Sequence, residues 1–329
     1  MSKTKQRIEI TKIIAIVLAA LLITSLALLA LNAWDKNYGK FPEMNFGEST
    51  VKYNGKDYVI KDGVESLLVI GLDKFDGTSD SDSYNNDQQA DFIMLIVFDN
   101  NKQEYSAIHI NRDTMADINV LGVAGNKIGT VNEQIALSHT YGNGREVSCR
   151  NTADAVSNIL MGVKISHYLS VKLDAVTIYN DLLNGVEVEV LDDFSGIDST
   201  LVKGEKVTLM GEHALTYIRT RYGLEDSSNQ ARMKRQKQYL DALRQKSEKM
   251  IAEDDLFVIN ASTQIADYLV SDRSVTQLQE LINKISQYDF VEFCDIEGEL
   301  KVGDKFMEFT PDKEAIMDLV IELFYEPKK

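Results

Sequence analysis

An uncharged apolar run from Ile13 to Leu31 (IIAIVLAALLITSLALLAL) constrains this chain more than any other feature. At about 1.5 Å of rise per residue, a helix there is roughly 28 Å long, close to the ~30 Å hydrocarbon core of a bilayer. Lys3, Lys5, Arg7 and Lys12 precede the run and Glu9 is the one acid among them, so the short tail is expected to stay in the cytoplasm. Trp34 follows, where an interfacial aromatic anchors the outer end. A cleaved signal peptide is the competing reading. Its apolar region would be only about 7–15 residues, and Ala30-Leu31-Asn32 is a poor small-x-small cleavage site. The expected layout is a cytoplasmic tail (1–12), a single transmembrane anchor (13–34), a stalk with a small hairpin (35–63) and an extracytoplasmic domain (64–329) at the cell membrane.

The formal net charge of −16 argues against nucleic acid as a partner, because phosphate backbones call for a basic surface. Apolar residues make up 44% of the 329-residue chain, ample for one large core. The prolines are Pro42, Pro311 and Pro327, so no Pro-rich linker divides the region between them into two domains. Cys149 and Cys294 lack CxxC spacing, which excludes the common thiolate metal motifs and leaves either one disulfide or two buried thiols.

Short apolar runs alternate with helical patterns beyond the anchor. Tyr53-Asn54-Gly55-Lys56 reads as a hairpin turn. Strands are expected at 67–72, 92–98 and 105–110, with a polar loop over 74–90, and helices at 131–141 and 151–161. An αβ unit follows at 173–190, then helices at 211–218 and 230–252, a mostly helical stretch at 265–285, a strand pair over 290–306 and a helix at 313–324. Such alternation predicts a layered α/β sandwich around a mixed central sheet.

The segment Arg219–Lys237 (RTRYGLEDSSNQARMKRQK) gathers Arg219, Arg221, Arg232, Lys234, Arg235 and Lys237 in an otherwise acidic chain. Arginine suits phosphate because its planar fork donates paired hydrogen bonds and stays charged. Arg232 and Arg235, three apart, share one side of a helix that Asn229 could cap. A solvated basic helix face is the alternative. Asp73 ends one apolar strand and Asp91 opens the next, a natural seat for Mg²⁺, which takes a couple of carboxylates and completes its shell with water and phosphate oxygens. Both could equally be ordinary loop acids. Arg112 follows a strand directly and could clamp phosphate, and Asp113 could cap a helix. There is no GxxxxGK[ST] loop, no GxSxG elbow and no HExxH among His109, His139, His167 and His213, which read as structural.

Together these pieces resemble the LytR-CpsA-Psr family of bacterial envelope proteins. The resemblance rests on the anchor, Leu67–Asp73, Asp91–Leu95, Ile110–Thr114, Leu209–Arg221 and Arg232–Gln236, in order and at matching spacing over about residues 65–245. It implies a catalytic domain that moves a glycopolymer from an undecaprenyl-pyrophosphate carrier onto peptidoglycan, with membrane lipid, the lipid-linked glycan and the peptidoglycan acceptor as partners. It also implies an apolar groove for the prenyl tail. Asp73 and Asp91 would hold Mg²⁺; Arg112, Arg219, Arg221, Arg232, Arg235 and Gln236 would bind the phosphates, and Asp91 is the best candidate for the base. The chain departs from the family pattern at Gln88-Gln89-Ala90, where an arginine is common, at Asn111 (commonly proline) and at Asn229 (commonly aspartate). A polyprenyl-pyrophosphate hydrolase and a non-catalytic binder of lipid-linked glycan are the rival expectations.

Overall fold

The computed structural model describes residues 50–73, 86–303 and 306–328. The expected tail, anchor and most of the stalk lie outside these residues, as does most of the loop after Asp73. Among the described residues no helix is long and apolar enough to cross a membrane.

The elements run β1 (Thr50–Tyr53), β2 (Lys56–Ile60), β3 (Val64–Leu72), β4 (Ala90–Asp99), β5 (Glu104–Ile110), β6 (Met115–Leu121) and β7 (Lys127–Gln134). Next come α1 (Glu146–Ile159), β8 (His167–Lys172), α2 (Leu173–Leu182), β9 (Val186–Glu189), β10 (Lys206–Leu209), α3 (Glu212–Arg219), α4 (Asn229–Glu253) and α5 (Phe257–Ile265). The chain closes with β11 (Leu269–Ser271), α6 (Val275–Ile285), β12 (Asp289–Asp295), β13 (Gly298–Val302), β14 (Met307–Pro311), α7 (Lys313–Phe324) and β15 (Tyr325–Pro327). A six-stranded sheet in the order β11-β8-β3-β4-β5-β12 forms the centre. It is mixed: β3 pairs antiparallel with β4 but parallel with β8, and β12 joins β5 in parallel. The α/β expectation with a mixed central sheet therefore holds.

Side-chain alternation along β3 assigns the two faces. Leu68, Ile70 and Leu72 enter a core shared with Val156 and Ile159 of α1 and Val320 and Phe324 of α7. Leu67, Val69 and Gly71 point the other way, toward α2, α4 and α6. A second cluster, built on Val186, Leu209, Leu215, Tyr217 and Phe257, packs with α3 and α4.

Several expectations are corrected. Residues 127–134 form a strand paired with β6, followed by a short 3₁₀ turn, where a helix was expected over 131–141. Thr130 and Asn132 alternate against Asn119 and Asp117, and cross-strand pairing overrides the helical pattern. The stretch 265–285 is mostly helical as expected, with β11 inserted in it to close the sheet edge against β8. The expected 290–306 pair separates: β12 joins the central sheet, and β13 pairs with β14. The β1–β2 hairpin forms at Asn54-Gly55 and also pairs with β15, tying residues 50–60 to the end of the chain. Cys149 and Cys294 are both free thiols.

One irregularity positions the site. Gly71 pairs with Phe92 and Leu72 with Ala90, so Asp91 is an extra residue in β4. Such a bulge turns two consecutive side chains toward one face. Asp91 and Phe92 accordingly both line the cavity described below. Gly71 permits this, since a Cβ there would lie 2.8 Å from Phe92 Cβ. We expect Gly71→Ala to push Phe92 and Asp91 aside, costing about 1–3 kcal/mol in stability as overpacking does. Urea unfolding checks it, and an unchanged midpoint would show that the bulge has slack.

Candidate functional site

The other sheet face and the helices border a cavity of ≈900 Å³. Its body is apolar, with Val69, Leu169 and Val171 on the sheet side and Leu240, Leu243 and Leu278 among the helical residues opposite. Charged residues also line it: Asp73 and Asp91 lie with Arg112, Arg219, Arg221 and Arg232, and Glu212 borders the cavity from the start of α3. Helical spacing delivers these groups. Arg232, Gln236, Tyr239, Leu240 and Leu243 share one face of α4, and Glu212, Leu215, Thr216 and Arg219 one face of α3.

The arginines are not equivalent. Arg219 Nη2 lies 2.5 Å from Asp73 Oδ2. Arg112 Nη1 is in ion-pair contact with Asp91 Oδ1, its Nη2 donates to Gln89 Oε1 at 2.5 Å, and its Nε is 3.8 Å from Asp113 Oδ1. Asp91 Oδ1 is thus buried against the Arg112 guanidinium. Buried Nε atoms without a hydrogen-bond partner recur on Arg112, Arg221 and Arg232. Buried guanidinium donors left open in this way are ready to receive an anion. Burial and the neighbouring Arg112 and Arg221 push Arg232 down to about 10, which still leaves it charged at neutral pH. Burial lowers Arg112 and raises Asp113 as well.

Arg235 departs from the expectation that it joins the phosphate group. It is 1% exposed, and its Nε donates to the Tyr217 carbonyl at 2.9 Å. Its Nη1 and Nη2 bond Asp192 and the Thr220 carbonyl, and its guanidinium lies 5.6 Å from the Phe194 ring centroid. At 3.6 residues per turn, positions 232 and 235 are offset by about 60°, which suffices to aim one at the cavity and the other into the interior. Gln236 lines the cavity while donating to the Ile218 carbonyl at 3.2 Å.

Two capping expectations are also corrected. Ser228 caps α4 by accepting from Ala231 N, and Asn229 begins the helix with its amide turned inward. Asp113 caps no helix; it precedes β6 and accepts from Gln134 Nε2 at 3.1 Å. The three departures from the family pattern cluster here: Gln89 bonds Arg112, and Asn229 Nδ2 donates to Asn111 Oδ1 at 2.6 Å. Sequence reasoning gave no signal for Asp192 as the partner of Arg235, because a loop aspartate in an acidic chain looks like any other.

Among the described residues no group of three or more His, Cys, Asp or Glu side chains could hold a metal. Asp73 and Asp91 are nonetheless compatible with Mg²⁺, which needs only one or two protein carboxylates when phosphate oxygens complete its shell. Both carboxylates line the cavity, each now paired with an arginine, Asp73 with Arg219 and Asp91 with Arg112.

The chain is 28% identical over 242 residues to the Enterococcus faecalis polyisoprenyl-teichoic acid–peptidoglycan teichoic acid transferase TagU, covering 71% of each protein. Its Halalkalibacterium halodurans namesake is 28% identical over 179 residues, 54% of this chain and 51% of that protein. Among solved structures, Bacillus subtilis TagT superposes with a TM-score of 0.58 at 21% identity, over 85% of this chain and 97% of that one. A second TagT structure, with LI-WTA bound, gives the same TM-score over 86% and 98%. These likenesses establish the fold. The sequence matches the LytR_cpsA_psr family over residues 38–323, and the chain belongs to that family.

Proposed function

We propose that this chain is a membrane-anchored, Mg²⁺-dependent phosphotransferase that moves a glycopolymer from an undecaprenyl-pyrophosphate carrier onto peptidoglycan. The observation that carries the reading is the junction of a largely apolar cavity with a cluster of partly unsatisfied arginines. That junction suits an amphiphile with a long hydrocarbon tail and a polyanionic head. The substrates named for TagU and the LI-WTA bound to TagT support the same chemistry. Ile13–Leu31 would hold the domain close to the bilayer from which such a carrier comes.

The prenyl chain occupies the apolar body, which excludes water from the head. Arg112, Arg219, Arg221 and Arg232 bind the pyrophosphate, with Gln236 beside them, and stabilise charge more strongly as it builds on the leaving phosphate. Asp73 and Asp91 would hold Mg²⁺, which supplies Lewis-acid polarisation of the phosphoryl oxygens. A peptidoglycan hydroxyl attacks the phosphorus bearing the glycan. The new O–P bond forms as the bond to the bridging oxygen breaks, the polyprenyl phosphate leaves, and the hydroxyl proton passes to a base, for which Asp91 is our candidate.

The test incubates detergent-solubilised full-length protein with a polyprenyl-pyrophosphate glycan and peptidoglycan fragments, with Mg²⁺ or with a chelator. Glycan attachment with Mg²⁺ and none with the chelator is the expected result. Carrier cleavage without attachment would point to a hydrolase, and binding without cleavage to a carrier-binding protein.

A further inference from the structure

Arg232 is braced by an amide, where Arg112, Arg219 and Arg235 meet carboxylates. Arg112 contacts Asp91 and Asp113, Arg219 contacts Asp73, and Arg235 contacts Asp192. Arg232 Nη2 instead donates to Asn229 Oδ1 at 2.5 Å, one turn earlier on α4. Among the described residues it makes no ion pair. Asp113 is the carboxylate whose field reaches it, and that group is already engaged by Arg112 and Gln134.

The orientation of Asn229 is fixed from both sides. A guanidinium can only donate, so Asn229 must present Oδ1 to Arg232 and Nδ2 to Asn111. Asn111 must in turn present its oxygen, because Asn111 Oδ1 also accepts from the Asp113 backbone N–H at 2.9 Å. All three residues are buried, with Asn111 at 5%, Asn229 at 3% and Arg232 at 7% exposure, so water offers no easy substitute. A carboxylate at position 229 would set an anionic oxygen against Asn111 Oδ1 at the 2.6 Å spacing now bridged by a hydrogen. The Asn111–Asn229 pair thus selects an uncharged side chain beside Arg232.

We propose that Asn229, locked by Asn111, is a positioning residue that holds Arg232 in place without neutralising it. Arg232 therefore meets a substrate phosphate with its full charge. The inference deepens the phosphotransferase reading and rests on its placement of phosphate beside Arg232.

Inorganic pyrophosphate, titrated calorimetrically into the full-length protein with a chelator present, reads the charge directly. Asn229→Asp should weaken binding by about tenfold or more, because the added charge sits against the guanidinium in a site of low dielectric. Asn229→Ala, which removes the brace but adds no charge, should weaken it only about threefold. Asn229→Asp should also melt earlier than wild type. The double variant Asn111→Ala with Asn229→Asp relieves the oxygen–oxygen clash and should recover part of that midpoint while its affinity stays low. A purely structural role could not separate the two readouts. Wild-type affinity in Asn229→Asp, weaker binding by Asn229→Ala than by Asn229→Asp, or affinity that recovers with the midpoint would each overturn the proposal. If wild type itself fails to bind pyrophosphate, the phosphate placement falls and this inference with it. If wild type binds and Asn229→Asp binds equally well, only this inference falls.

Discussion

Arg232→Ala is expected to slow transfer from the lipid-linked donor by about 10²–10³-fold, the loss seen when one preorganised donor to developing negative charge is removed. Its guanidinium lines the cavity, has an open Nε and makes no ion pair among the described residues. Little of its charge is therefore spent within the protein. The fold should survive. Arg112 and Arg221 both repel Arg232, so its removal relieves like-charge strain and leaves Asn229 Oδ1 as the one acceptor deprived of its donor. Single-turnover rates on the polyprenyl-pyrophosphate glycan, compared with thermal unfolding of the same preparation, check the pair of statements. A wild-type rate would remove Arg232 from the chemistry.

Arg235→Ala should behave in the opposite way, as a stability variant first. Removing one member of a buried, hydrogen-bonded ion pair typically costs about 3–5 kcal/mol, because the partner groups stay behind unpaired. Here those groups are the Asp192 carboxylate and the Tyr217 and Thr220 carbonyls. The two carbonyls flank Ile218 and Arg219 and lie just before Arg221, so the variant should lose activity through misplacement of those arginines. Arg235→Lys should rescue little, since one ammonium cannot reproduce a fork that reaches three acceptors. Urea unfolding reads the loss. A midpoint unchanged from wild type in the alanine variant would show that water replaces the guanidinium.

The contrast between these two arginines shows where sequence reading stops. Their spacing predicts a shared helix side, and the helix from 229 to 253 is there. Spacing could not tell that Asp192, forty-three residues before Arg235, takes up one of them. Asn229 similarly reads as a cap because its residue type favours that position, whereas Ser228 holds the cap and Asn229 turns toward Asn111. Asp73 and Asp91 were legible as neighbours from two strand ends. Their common face depends on a bulge that no local residue pattern announces.

What the sequence determined by itself is the set of local choices: where apolar runs make strands, where helical spacing makes helices, and which charged types are concentrated in 219–237. It also carries the ordered motifs that mark the family. The tertiary structure alone decided which guanidiniums stay open and which are consumed. It likewise decided which apolar side chains line the cavity, since Leu68 and Val69 are indistinguishable in type yet face opposite sides of β3. The physical reason is common to both. Burial and hydrogen-bond satisfaction are set by partners distant in sequence, and a residue's own type fixes only what it can offer them.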